Sequence, residues 1–256
     1  MSKQPILVFD FDGVIVDGLI EYWNSSRKAC LKLVGNEKYE EQLPLRAPDA
    51  FRKVRPWVKN GWEMVLLAAE LLRTDSPIKH PAQFSNEYQN NCHKALKFWD
   101  WHPEQLQIAL DNVRKQAIHE NKAKWLASHH PFSGVVNRIQ ELKNENIEWA
   151  VLTTKSIEFT SQLLSYYNLS PTLLYGYESG SKPEVLLQIS KDYLIQGFIE
   201  DRRATLETVL NSPSISWIPC YLANWGYLKD NDAQDLPIGI QLLKPEVFVS
   251  PIADWP

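Results

Sequence analysis

The chain of 256 residues carries 27 basic and 31 acidic side chains, a net charge of −4, which leaves no basic stripe and argues against a nucleic-acid partner while allowing small anions in a local pocket. Its length suits one domain with a large insertion, or two domains. Cys30, Cys92 and Cys220 are too few and too far apart for a disulfide framework or a zinc spacing, and no apolar run reaches membrane length, so the sequence reads as a soluble protein of the reducing cytoplasm without a membrane partner.

In chain order, an apolar run at residues 6–9 comes first, with no basic segment and cleavable apolar stretch ahead of it. It reads as a buried strand with Asp10 at its carboxyl end, Asp12 just beyond and Gly13 at the turn. After Asp17 the period becomes helical. Trp23, Ser26, Cys30 and Leu33 share one face, Trp62, Val65, Leu66, Ala69 and Leu72 a second, and Leu106, Ala109, Leu110, Val113 and Ala117 a third. No alternating apolar run interrupts residues 18–130, which predicts an all-helical unit. Six of the ten tryptophans fall between residues 23 and 125, an aromatic core for that unit rather than a carbohydrate platform. Pro131 and Ser133 mark its end, by restricting His130 and by capping the next helix.

Beyond that boundary strand and helix alternate. Strands are expected at 147–152, 172–175, 196–199 and 217–222, with helices through 159–167, 183–194 and 204–210 and an edge strand at 240–243. The pattern predicts an α/β fold, a Rossmann-like parallel sheet with helices on both faces, formed by residues 1–17 and 132–256. An all-helical domain at 18–131 is inserted after the first strand. Trp255 reads as an exposed side chain, open to contact with another subunit.

Chemistry gathers at the predicted strand ends. Asp10 and Asp12 repel each other unless a cation or a shared proton relieves them. Thr153-Thr154-Lys155 offers a hydroxyl and helix-opening amides to phosphate oxygens. Lys182 precedes Pro183 in a strand-to-helix loop, and Glu200-Asp201 closes another apolar strand. Each has an ordinary alternative taken alone: an Asx turn, a helix cap, a solvated lysine, an acidic strand end. Together, on one edge of a parallel sheet, they make a phosphoryl-transfer set whose hard oxygens select magnesium over zinc. No Walker or dinucleotide glycine loop is present.

In order and spacing these segments resemble the four motifs of the haloacid dehalogenase superfamily, over residues 5–17 and about 133–226. The resemblance implies that Asp10 is the nucleophile, Asp12 the general acid and base, Thr153 and the Thr154 amide phosphate donors, and Lys182 the lysine that steadies the nucleophile and the phosphoryl group. It implies Mg2+ held by Asp10, the Asp12 main-chain carbonyl and Asp201, with Glu200 beside them. An acid at position 12 disfavours carbon–halogen and carbon–phosphorus cleavage. The Gly13-Val14-Ile15 stretch and the acid pair look like the β-phosphoglucomutase branch, but no histidine occurs between Asp17 and Lys79, and Tyr22-Trp23 stand where such mutases carry one. The helical insertion would then be a cap, with Arg52 and Arg55 as candidate readers of a second anion. The reading is a magnesium-dependent phosphatase for a small phosphorylated metabolite. The alternatives are a sugar-phosphate mutase and a phospho-ligand-binding scaffold of low turnover. The oligomeric state is open.

Overall fold

The computed structural model describes residues 3–35 and 37–256. Ile6, Leu7, Val8 and Phe9, all fully buried, build strand β1 (Gln4–Phe9), and the two-residue β2 (Val16–Asp17) follows. The insertion comprises α1 (Leu19–Val34), α2 (Asp49–Val54), α3 (Gly61–Glu70), α4 (Pro81–Asn86), α5 (Tyr88–Trp99) and α6 (Pro103–Leu126). The chain then forms β3 (His130–Pro131), α7 (Val135–Glu141), β4 (Glu148–Leu152), α8 (Ile157–Tyr166), β5 (Leu173–Tyr175), α9 (Lys182–Asp192), β6 (Tyr193–Glu200), α10 (Arg203–Leu210), β7 (Cys220–Ala223), β8 (Ile240–Leu243) and α11 (Pro245–Phe248). Among the described residues no helix is long and apolar enough to cross a membrane.

Six strands form one sheet in the order β5-β4-β1-β6-β7-β8, every neighbouring pair parallel. Successive connections run outward from β1 through β4 to β5, then cross to β6 and run outward again. The carboxyl end of β1 is therefore a topological switch point, where open α/β sheets form their ligand crevice. Alternation along β1 sends Ile6 and Val8 to one face, where α9 and α10 bring Val185, Leu186, Leu206 and Val209. Phe9 serves the other face, with edge-on contacts to Trp149 and Phe248.

The chain divides into two compact units, residues 1–17 with 130–256, and residues 18–129. The division falls two residues before the 131/132 boundary expected from Pro131, because His130 and Pro131 pair antiparallel with Asp17 and Val16. The inserted unit is helical, as its periodicity predicts, and packs α1, α3 and α6 around Trp23, Phe51 and a fully buried stretch from Val65 to Ala69. Within it, Glu21 accepts two hydrogen bonds from Arg114 at 2.9 Å and one from Ser25 at 2.6 Å.

Three expectations need correction. The helix expected to 194 stops at Asp192, because Tyr193 and Leu194 pair with Gln4 and Pro5 and find backbone partners in the sheet. The strand expected from 217 starts at Cys220, because residues 212–218 form successive turns and Pro219 has no N–H for the ladder. Trp255 is buried, not exposed: it packs on Tyr221 and Phe248 and donates through Nε1 to the Ser250 carbonyl.

Candidate active site

Asp10 follows β1 directly, and its N–H donates to the Ile199 carbonyl of β6 at 2.9 Å, which fixes the backbone from which its carboxylate projects. Lys182 opens α9, where a capping box between Ser181 and Glu184 secures the first turn. Its ammonium donates to Asp10 Oδ1 at 2.8 Å and to Glu200 Oε2 at 2.6 Å. Glu200, wholly buried at the end of β6, also accepts from the Arg202 N–H at 3.1 Å. Arg203, the next basic residue, is engaged away from this cluster with Glu207 and the carbonyls of Gln234 and Asp235.

Asp10, Glu200 and Asp201 each place a carboxylate oxygen within 4.8 Å of the others, all buried. Burial, opposed by Lys182 and reinforced by Glu200 and Asp12, raises Asp10 from an ordinary 3.8 to about 7. Burial also pushes Glu200 upward, but Lys182 outweighs it and holds that carboxyl below its usual range. On Lys182 burial works downward, and the attraction of Asp10 and Glu200 overcomes it, so the ammonium is held above its ordinary value. Three hard carboxylates beside one cationic side chain are two positive charges short, which fits a divalent cation with oxygen ligands.

Asp201 is held from the opposite side. The Tyr227 N–H donates to its Oδ2 at 2.8 Å, while the Tyr227 hydroxyl donates to Asp17. Gly13, at a φ of +97°, and Gly226 both press against the Asp201 side chain, and a Cβ on Gly226 would lie 2.3 Å from Asp201 Cβ and 2.4 Å from the Gly13 carbonyl oxygen. Gly226→Ala is therefore expected to cost about 1–3 kcal/mol by overpacking, read by urea unfolding, and to displace the Asp201 carboxylate. Unchanged stability would mean that the loop yields without strain.

Asp12 lies two residues beyond Asp10 but turns its carboxylate elsewhere: Oδ1 is 3.4 Å from Lys155 Nζ. Thr153 is buried after β4, with its N–H on the Tyr175 carbonyl and its hydroxyl oxygen accepting from the Lys155 N–H at 3.1 Å. Thr154 is exposed. The structure thus joins Asp10, Lys182, Glu200 and Asp201 in one cluster, with Asp12 and Thr153 bound to Lys155 in another. Arg52 and Arg55 belong to the helical unit. Arg52 is exposed and donates to the Ala47 carbonyl, whereas Arg55 is buried 5.3 Å from the Tyr22 ring.

Two contributors escaped the sequence reading. Lys155 was given no role of its own, and its place next to a strand-end hydroxyl was the available signal. Tyr227 lies in the loop after β7, where a glycine followed by an aromatic on the same sheet edge was the available signal.

No family model matches the sequence, and no curated protein matches it. Solved structures do. A predicted phosphoglycolate phosphatase from Haemophilus somnus superposes with a TM-score of 0.57 at 15% identity, covering 94% of both chains. A protein assigned as a haloacid dehalogenase-like hydrolase from Bacteroides fragilis gives 0.53 at 15% identity, covering 95% of this chain and 98% of the other. The fold is that of the haloacid dehalogenase-like hydrolases. The same fold extends to a protein assigned as a β-phosphoglucomutase from Thermotoga maritima, at a TM-score of 0.53 and 14% identity over 97% of both chains. At these identities the haloacid dehalogenase-like fold alone is shared, and the chemistry must be argued from the site.

Proposed function

We propose that the protein is a magnesium-dependent phosphatase of the cytoplasm that hydrolyses a small phosphomonoester through an aspartyl-phosphate on Asp10. The observation that carries this reading is the buried set at the sheet's switch point, in which Asp10 shares Lys182 with Glu200 while a second carboxyl, Asp12, stands two residues away against a different lysine. The separate pairings give two acids of one short segment different surroundings, as nucleophilic attack and proton transfer require.

In this reading an Asp10 oxygen attacks phosphorus and the bond from phosphorus to the ester oxygen breaks. Asp12 delivers its proton to the departing oxygen. It then takes a proton from water, whose oxygen attacks the phosphorus, and Asp10 and inorganic phosphate are released. Lys182 holds the Asp10 carboxylate and offers positive charge to the phosphoryl oxygens. Thr153 and the Thr154 amide supply further donors. Asp10, Asp201 and the Asp12 main-chain carbonyl, supported by Glu200, would hold Mg2+, which when bound neutralises charge on the phosphoryl group.

The reading is tested by phosphate release from a panel of small phosphate esters with and without Mg2+. Metal-dependent release supports it. Interconversion of a sugar phosphate without release would replace it with the mutase, and silence across the panel with a binding role. A second test needs no substrate. With Asp10 raised to about 7, the cation competes with a proton at pH 5.5 and scarcely at pH 8. Saturating Mg2+ is expected to stabilise the protein by about 2–3 kcal/mol at pH 8 and by less at pH 5.5, read by thermal melting, with the response lost in Asp201→Asn. An equal response at both pH values would remove Asp10 from the ligand set.

A further inference from the structure

Lys155 is buried to the extent that its side chain is 1% exposed, although it follows an exposed threonine in the bend before α8. A lysine is buried this deeply at substantial desolvation cost and rarely without a partner. Here the backbone on either side of its stem is fixed. Its N–H donates to Thr153 Oγ1 at 3.1 Å and its carbonyl accepts from the Tyr177 N–H at 3.3 Å. Gly176 closes over the same carbonyl so tightly that a Cβ there would lie 2.8 Å from it. From this pinned position the ammonium reaches Asp12 Oδ1 at 3.4 Å, and Asp12 Oδ1 has no hydrogen-bond donor.

We propose that Lys155 is the positioning residue for Asp12, a tether on one carboxyl oxygen that fixes the side-chain rotamer and aims the other oxygen at the leaving group. The inference rests on the phosphatase reading above. It assigns to Lys155 a part in the reaction separate from that of Lys182, which serves Asp10. A carboxyl with one oxygen held loses rotational freedom, and the proton on the other is delivered along a defined line.

Aryl phosphates distinguish this role from phosphate binding and from mere structure, because p-nitrophenolate leaves without a proton and phenolate needs one. kcat/KM reports the first irreversible step, transfer to Asp10, and so isolates the delivery of that proton. Lys155→Met keeps the stem and removes the charge. It is expected to lower kcat/KM for phenyl phosphate about tenfold or more beyond its effect on p-nitrophenyl phosphate, as partial loss of a general acid does. Lys155→Gln, the second variant in case the first does not fold, is expected to show the same split. In an Asp12→Asn background, Lys155→Met is expected to lose its preference between the two esters. Equal losses on both esters in the single variants, or no loss on either, would overturn the proposal while leaving a phosphatase. A wild-type protein that releases phosphate from neither ester, with Mg2+ present, would overturn the phosphatase reading and this inference with it.

Discussion

Asp10→Asn is expected to lower phosphate release by about a thousandfold or more, because the proposed function makes Asp10 the group that forms the covalent phosphoenzyme, and at pH 8 in the absence of divalent cations to raise the melting temperature. The second half follows from where Asp10 sits. Burial with Glu200 and Asp12 lifts its carboxyl to about 7 from an ordinary 3.8, against the pull of Lys182. An acid raised in the folded state contributes stability that is fully present below the unfolded value and is lost as pH rises through the folded one. At pH 8 the ionised Asp10 therefore weighs against the fold, and at pH 4 it does not. Asparagine is neutral throughout, and it leaves Lys182 its 2.6 Å contact with Glu200. The stabilising effect should appear above pH 7 and fade as the pH falls towards 4. A variant that is inactive and less stable than wild type at pH 8 would show that the pairing of Asp10 with Lys182 outweighs the crowding of acids. A variant that still turns over would remove Asp10 as nucleophile. A group that costs stability in the resting protein is what selection for chemistry commonly leaves, and the proposed role of Asp10 accounts for its place here.

The parallel sheet and the acids at its edge were legible because strands buried on both faces are written as short apolar runs, and the acids at positions 10, 12, 200 and 201 interrupt those runs where a strand ends. Strand ends are local information. The partners of those acids are not. Lys182, read as a loop residue, is the first residue of α9, and it could not be assigned to both Asp10 and Glu200, since that bridge depends on β1 and β6 being sheet neighbours across most of the chain. Lys155 stood in a strand-end segment read only for its hydroxyl and amides, and its backbone is held by Gly176 and Tyr177 on the neighbouring strand's exit. Trp255 was misread for a similar reason. A tryptophan in a proline-rich tail has no periodicity to mark it as core, and its place against Tyr221 and Phe248 is a tertiary fact. Elements were therefore readable from local pattern, while the electrostatic pairings that make the site work came only with the fold.

Lys182→Met provides the second large effect, and it separates stability from turnover. The substitution keeps a stem of similar length and removes the cation shared by two buried carboxylates at 2.8 and 2.6 Å. Removing one partner from a buried charge network typically costs about 3–5 kcal/mol, since the charges left behind can recover neither their partner nor water. In a chain of this size that corresponds to a fall in melting temperature of about 10 °C at pH 8 without divalent cations. Lys182 is held above its ordinary value, so at pH 8 it is charged in both the folded and unfolded states and its full contribution is being removed. Lowering the pH should shrink the loss, as Asp10 takes up a proton in place of the missing ammonium. Glu200→Gln in the Lys182→Met background removes one of the stranded charges and is expected to restore about half of the lost stability, a strong departure from additivity. Phosphate release should stay lost in both proteins, because the neutral pair returns no positive charge to the nucleophile or to the phosphoryl oxygens. A double variant less stable than Lys182→Met would mean that Glu200 is kept in place by contacts other than Lys182. A double variant with restored turnover would mean that Lys182 serves only to neutralise Glu200 and takes no part at Asp10.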